Sequence, residues 1–425
     1  MKKITLLFIL FVGFTTYAQR TCGMDHVMQG VNANPSLRQQ YEQKQQKFEI
    51  ELEKLNNSSV SQRSTNNTIR IPVAVHFPGV PSSSSATLKN CLILMAQRQI
   101  NVLNADFNAT NTDISQWGAV SSFYPMVTAL GDLNVEFVIA TQNHPAGYGV
   151  TQGQPLVTFG YDFGAGVPSS QPLYDGNFAG YLNFVVKNIG SGLLGYAPLG
   201  GSPALGHAVA INTSCFGTGS QCNTTYRPTA PFNLGRTTTH ELGHYFFLDH
   251  TFNSGSCSTA SCTNQGDKIC DTPQVFEETY ECPSAGDIAG CVSGQYALTM
   301  NYMDYVNDAC MFMFTLGQEN RMRTWYNSIA DEFNMTTLSN NEVVKNNFNI
   351  FPNPNNGTFT IRFNDLSDDY SVEVFDISGR IVFEDYYTQS SNLEQTISID
   401  KPSSGVYFVN VKSGSSIITE KIIIK

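Results

Sequence analysis

The stretch "TTTHELGHYFFLDHTF", Thr237 to Phe252, constrains the fold more than any other part of the chain. On a helix, positions four apart share a face, so His240 and His244 present their imidazoles to one point, with Glu241 beside them. Two nitrogens leave a zinc ion undersatisfied. A third protein ligand and an open position for water complete a catalytic site, and His250 supplies that ligand if the helix stops and the chain returns. The spacing therefore predicts His240, His244 and His250 as metal ligands, with Glu241 directed at a metal-bound water. The competing reading is a core helix with satisfied histidines, but three imidazoles packed with a carboxylate are costly to bury without a cation.

Two downstream segments extend the constellation. In "NYMDYVNDACMFMFTLGQENRM", Asn301 to Met322, Met303 sits two residues before Tyr305 in a tight turn, and a methionine beneath a zinc site gives the ligand rings an apolar floor. In "NQGDKICDTP", Asn264 to Pro273, Asp267 and Asp271 offer carboxylates beside backbone carbonyls, a set of oxygen ligands that suits calcium or an ordinary turn.

Six of the ten cysteines, Cys257, Cys262, Cys270, Cys282, Cys291 and Cys310, fall just after the histidine stretch, so that segment reads as stapled by disulfides. Cys215 and Cys222 are close enough to close a small loop of their own, which leaves Cys22 and Cys91 either paired with each other or unpaired. Disulfides require export, and the amino terminus agrees: Lys2-Lys3, an apolar run from Ile4 to Phe14 and Thr16-Tyr17-Ala18 form a signal peptide over residues 1–18. That run is too short to span a bilayer and no longer one follows, so no membrane span is expected.

At 425 residues the chain exceeds a single domain, and only 14% of it is charged. The net charge of -11 comes with no lysine or arginine cluster that could neutralise a row of phosphates, which argues against a nucleic-acid partner. Residues 19–68 read as a removable front segment, with a helix over Leu37 to Leu55 and then a polar linker. Alternatively, that helix is a structural part of the main domain. Residues 69–338 form the main domain, with strands expected at Ile69 to Phe77, Leu133 to Thr141, Tyr181 to Asn188 and His207 to Asn212. A helix over Leu88 to Phe107 and the histidine helix complete an α+β arrangement. From 345 to 425 the texture changes to short alternating strands separated by Asn-Gly and Ser-Gly turns, a small all-β sandwich.

With these residues in view, the main domain resembles the metzincin zinc peptidases, and within that clan the pappalysin family. The resemblance rests on "GRTTTHELGHYFFLDHTF", on "CDTP" at Cys270 to Pro273, on "YLNFVVKNIGSGLLGYAPLGG", and on "NYMDY", "DACM" and "FTLGQENRM". It implies a metzincin-like catalytic domain, with a twisted mixed sheet and an active-site helix, in which His240, His244 and His250 hold zinc. Glu241 is then the general base, Met303 the turn methionine and Tyr305 a group that either supports the metal ligands from behind or lies on the oxyanion side. The resemblance also implies calcium at the Asp267–Asp271 loop and a disulfide between Cys270 and Cys310, with Cys257, Cys262, Cys282 and Cys291 making two more. One position departs from the family motif. Phe247 stands where glycine normally lets the helix stop sharply, so it must either adopt a positive φ or turn differently.

"RTCGM", Arg20 to Met24, resembles a cysteine switch, in which the Cys22 thiolate fills the open metal position until proteolysis near Arg63 removes it. The last unit resembles sorting domains of the type IX secretion system, an address label read by that machinery. Together these imply a secreted, extracellular or surface-held zinc endopeptidase, made as a latent zymogen, acting on protein or peptide substrates. The alternatives are a secreted binding protein with a structural or degenerate zinc site, and a zinc hydrolase acting on a non-peptide amide.

Overall fold

The computed structural model describes residues 21–425 apart from 58–67, 191, 253–256, 258–260, 264–265, 339–347, 364–369, 377–379, 388–393, 401 and 414–415. The expected signal peptide, the linker around Arg63 and the border near Ser339 to Asn347 lie outside the described residues. The chain forms two units, 1–339 and 340–425.

The first unit opens with helices α1 (Met24–Ala33) and α2 (Pro35–Asn57), joined at Asn34. Strand β1 (Ile69–Phe77) and helix α3 (Ala86–Phe107) follow. The helix starts where Ser85 Oγ accepts the N–H of Leu88 at 3.3 Å, and its buried side chains, Leu92, Met95, Ala96, Gln99, Ile100, Leu103, Asp106 and Phe107, recur at three- and four-residue intervals. A one-turn helix α4 (Trp117–Val120) leads to β2 (Val135–Ile139), β3 (Val157–Phe159), β4 (Leu182–Val186), β5 (Gly195–Tyr196) and β6 (Ala208–Ile211). Helices α5 (Arg236–Tyr245) and α6 (Leu316–Ile329) complete the unit.

The strands form one mixed sheet in the order β2-β1-β4-β6-β5, with β3 pairing β1 beyond the end of β2. All pairings are parallel except that of β5 with β6. β1 lies between neighbours and has core on both faces, which is why its residues from Ile71 onward are all buried rather than alternately so. One face packs against α3, α5 and α6 through residues such as Val73, Phe137, Phe184, Leu242 and Trp325. The other packs Ala74, Val185 and Ala210 against Phe163 and Phe178. The four expected strands and the three expected helices are all present.

The disulfides differ from the expectation. Cys270 pairs with Cys262 across a loop of eight residues rather than with Cys310, which pairs with Cys282; Cys257 pairs with Cys291. The chain doubles back between Cys262 and Cys270, with Gly266 and Lys268 at positive φ, and this brings their Cα atoms within 5.0 Å. Cys215 does not join Cys222. Its side chain points into the core and stays a buried thiol, while Cys222 reaches Cys91 on α3 with a Cα separation of 5.6 Å. That pairing also removes the alternative of Cys22 with Cys91.

In the second unit, β7 (Phe348–Phe351), β8 (Thr358–Phe363) and β11 (Glu394–Ser398) form a three-stranded sheet. β9 (Tyr370–Asp376), β10 (Ile381–Tyr387), β12 (Gly405–Ser413) and β13 (Ser416–Ile424) form a four-stranded one. All pairings in the unit are antiparallel. The inward residues, among them Phe359, Ile361, Val372, Val374, Val409 and Ile422, build one core between the sheets, so this unit is a β-sandwich.

Candidate metal centre and active site

Helix α5 is buried on every side, including both histidines and Glu241. Its start is fixed by Asp308, whose carboxylate accepts the N–H groups of Leu234 at 2.9 Å and Arg236 at 3.3 Å, a negative group at the positive end of the helix. Arg236, the first helical residue, donates to Asp106 on α3 at 2.7 Å and to the hydroxyl of Tyr302. Thr239 donates to the other Asp106 oxygen at 2.6 Å. α5 is thereby clamped to α3 and to the Tyr302–Tyr305 turn.

The far end of α5 is a Schellman turn with Phe247 in its left-handed position, at φ 72°. The N–H of Phe247 donates to the His244 carbonyl at 2.9 Å, and that of Leu248 to the Gly243 carbonyl at 2.9 Å. Of the two options open to Phe247, the chain takes the positive φ, so the helix stops as a glycine would have made it stop. The strain is offset by burial: the ring stacks on Trp325 at 4.7 Å and lies under the Arg321 guanidinium at 4.5 Å.

This turn returns His250 to the helix. The Nε2 atoms of His244 and His250 lie 3.0 Å apart, and those of His244 and His240 3.2 Å apart. The Nδ1 of His240 meets the Tyr302 carbonyl at 2.7 Å and the Nδ1 of His244 meets the Leu248 carbonyl at 2.7 Å. A carbonyl only accepts, so both Nδ1 atoms carry the proton and both Nε2 atoms turn a lone pair inward. Burial pushes the pKa of His244 down to about 4, and burial together with the neighbouring His244 holds that of His250 well below the ordinary imidazole value, so these imidazoles stay neutral as metal ligation requires. Neutral, mutually facing lone pairs call for a cation, and this donor set fits zinc.

The Cys22 Sγ falls in the same place, with the four ligand atoms of Cys22, His240, His244 and His250 all within 4.8 Å of one another. Its thiol reaches Glu241 Oε2 at 3.2 Å, its N–H donates to the Tyr305 hydroxyl at 3.3 Å, and burial and Glu241 push its pKa up. The flanking backbone pairs with the sheet's edge: Gly23 N–H donates to the Gly195 carbonyl at 2.9 Å and Leu194 N–H to the Thr21 carbonyl at 3.0 Å. Gly195 also makes room for Glu241, since a Cβ there would stand 2.6 Å from Glu241 Cγ.

Met303 is fully buried beneath α5, where a Cβ on Gly243 would come within 2.5 Å of its sulfur. Tyr305 lies 5.0 Å from the His250 ring, and Phe252 stacks on His250 at 4.7 Å and meets the Tyr305 ring at 4.8 Å. Asp304 orients this turn by accepting the N–H groups of Tyr305 at 2.7 Å and Thr279 at 2.9 Å. Asp267 and Asp271 are not brought to the histidines' centre. Asp267 is buried and accepts from Ile269 N–H and Thr272 hydroxyl, and Asp271 accepts from Thr315 hydroxyl and Gly317 N–H. Motif spacing carries no signal for Gly195, Leu248 or Phe252, which act through backbone or packing placed by the fold, or for the Asp308 carboxylate as the anchor of the α5 start.

A short edge strand antiparallel to an otherwise parallel sheet, a buried helix bearing three converging histidines and a glutamate, and a methionine beneath it define the metzincin class. Residues 220–327 match the family model described as pregnancy-associated plasma protein-A, and residues 349–425 match the secretion system C-terminal sorting domain. The chain belongs to the pappalysin family of metzincins and carries a secretion sorting domain behind the peptidase domain, as a secreted protein does. An extracellular metalloprotease of Verticillium alfalfae is 48% identical over 99 residues, 23% of this chain and 33% of that one. Extracellular metalloprotease 1 of Coccidioides posadasii is 34% identical over 160 residues, 38% of this chain and 54% of that one. The chain thus spans between a third and about half of the length of these relatives. A solved structure of a Tannerella forsythia promirolysin variant is similar with a TM-score of 0.53 at 28% identity, covering 75% of this chain and 98% of that one. Among the described residues, no helix is long and apolar enough to cross a membrane.

Proposed function

We propose that the chain is the latent precursor of a secreted zinc endopeptidase. The observation that carries this reading is the convergence of three neutral imidazole nitrogens on one point that the Glu241 carboxylate and the Cys22 thiol also reach. His240, His244 and His250 would hold the metal, which when bound lowers the pKa of a water and polarises the scissile carbonyl. Glu241, held beside that point by the space left at Gly195, takes the water's proton on its carboxylate and returns it to the leaving amine. The Tyr305 hydroxyl donates to the oxyanion that develops. With the Cys22 segment gone, Leu194 N–H and the Gly195 carbonyl are available to an extended protein or peptide substrate, which adds to the sheet edge as that segment does.

In this reading Cys22 maintains latency, and the 345–425 sandwich addresses the protein to the type IX machinery. A calcium ion at the Asp267–Asp271 loop belongs to it as well. What supports the ion is a fully buried Asp267, whose pKa burial raises to about 8, a carboxylate that a nearby cation would relieve.

The test compares wild type with Glu241→Gln, each after removal of the front segment, on casein or gelatin with and without a chelator. Digestion that needs metal, with a Glu241→Gln protein that keeps its zinc and does not digest, is the expected result. Digestion by Glu241→Gln would sink the assignment. Zinc without digestion would favour the secreted binding protein, and activity confined to small amides would favour the non-peptide hydrolase.

A further inference from the structure

Helix α2 is a polar helix with one apolar commitment. Among its described side chains only Phe48 is buried, at 1% exposure; Tyr41, Lys44, Gln45 and Leu52 flank it, half-buried, at helical spacing on the same face. The Phe48 ring meets Phe247 edge-on at 4.6 Å and Trp325 at 5.9 Å, with the Arg321 guanidinium 5.0 Å from its centre. Arg321 is itself fixed, donating from Nε to the Phe247 carbonyl at 2.8 Å. Phe247, Trp325 and Arg321 therefore form a slot with two aromatic walls and a cationic one.

The slot lies at the back of the turn that ends α5, and none of its three residues is among the partners of Cys22. A glycine at 247 would contribute no wall, so the residue that departs from the family motif is the one that builds the slot. Around it, Lys44 pairs with Glu332, whose second oxygen takes the Ser202 hydroxyl at 2.6 Å and the Ala204 N–H at 3.2 Å.

We propose that the Phe247–Trp325–Arg321 slot is a docking site for helix α2, with Phe48 as its plug. It gives the front segment a hold on the domain that depends on neither the metal nor Cys22. Hydrolysis of the chain within 58–67 then leaves the segment bound as a separate peptide, and latency outlasts the cut until α2 dissociates or is digested. The consequence for latency rests on the peptidase reading above; the docking does not.

The experiment uses the full chain with a recognition site for a specific protease placed in residues 58–67. After cutting, retention of the front segment is followed by size-exclusion chromatography, with and without chelator. Wild type and Cys22→Ala should both keep the segment, in zinc and in chelator. Phe48→Ala should release it at least about tenfold faster, because truncating a fully buried phenylalanine removes several-fold more binding energy than a decade requires. Phe247→Gly, which alters the slot and not the segment, should release it too, and unchanged zinc content shows that the site is still assembled in each variant. The proposal is overturned if the Phe48→Ala segment stays as firmly as wild type, or if Cys22→Ala or chelation alone sets it free. Casein digestion is scored separately: a chain that holds and releases its segment as described but never digests casein retains the docking and loses the peptidase reading.

Discussion

The carbonyl of Leu248 accepts the Nδ1 proton of His244 at 2.7 Å, and it can do so only because Phe247, the residue before it, takes a left-handed backbone conformation at φ 72°. One residue thus sets the helix end, orients the second histidine and starts the return to the third.

Phe247 also reverses the usual ranking of small substitutions. Glycine at 247 relieves a backbone strain of about 1 kcal/mol while forfeiting the buried ring; alanine forfeits the ring and keeps the strain. Both variants should be less stable than wild type, by about 2 to 4 kcal/mol, with Phe247→Gly the more stable of the two by about 1 kcal/mol. Urea unfolding measures the difference; an alanine variant that outlasts the glycine variant would mean that the strain is not real.

The thiol inventory gives a second expectation. Ten cysteines and four disulfides leave two thiols, Cys22 and Cys215. Cys215 is sealed in the core, whereas Cys22 is partly exposed and sits at the metal position. Under native conditions a thiol reagent should therefore modify no more than one cysteine, faster after chelation, and a second only after unfolding. A Cys215 that reacts in the native protein would contradict the core packing described above.

How much of this was legible beforehand differs by kind of interaction. The histidines, Glu241, Met303 and the strands were readable because local period and motif spacing determine them. The stop at Phe247 was legible as a choice between two conformations, and only the tertiary packing of Trp325 and Arg321 decides between them. The disulfides were not legible: Cys262 and Cys270, or Cys91 and Cys222, meet because of where loops return, and no spacing rule carries that information. The Phe48 slot was hidden for the same reason, since a lone phenylalanine in a charged, glutamine-rich helix reveals nothing of the rings that await it.

Asp267 provides a pH test of the calcium reading. Burial raises its folded pKa to about 8, above the ordinary carboxylate value, against opposing hydrogen bonds from Thr272 and Ile269. The folded state therefore prefers the neutral acid. With a raised folded pKa the unfolded chain loses this proton first, so the group's contribution falls as pH rises from about 4 towards 8. Without calcium, Asp267→Asn should flatten that decline in thermal melts. If calcium binds there, adding it should raise the wild-type midpoint most at pH 8 and leave Asp267→Asn unmoved. An equal calcium response in both proteins would remove Asp267 from the ligand set.

Gly195 isolates the position of Glu241 from its chemistry. A Cβ at 195 would stand 2.6 Å from Glu241 Cγ and 2.8 Å from Oε1, closer than nonbonded atoms approach, so Gly195→Ala must displace the carboxylate or the edge strand. The hydrogen bonds that hold the histidines run to the Tyr302 and Leu248 carbonyls and not to Gly195, so zinc content should be unchanged. Displacing a proton-transfer group by about 1 Å lowers turnover by about a hundredfold, and the loss should fall on kcat more than on KM if the edge strand still receives substrate. If kcat is preserved and KM rises instead, Glu241 has kept its place and the strand has moved, and the role given to the glycine passes from the base to the substrate-binding edge.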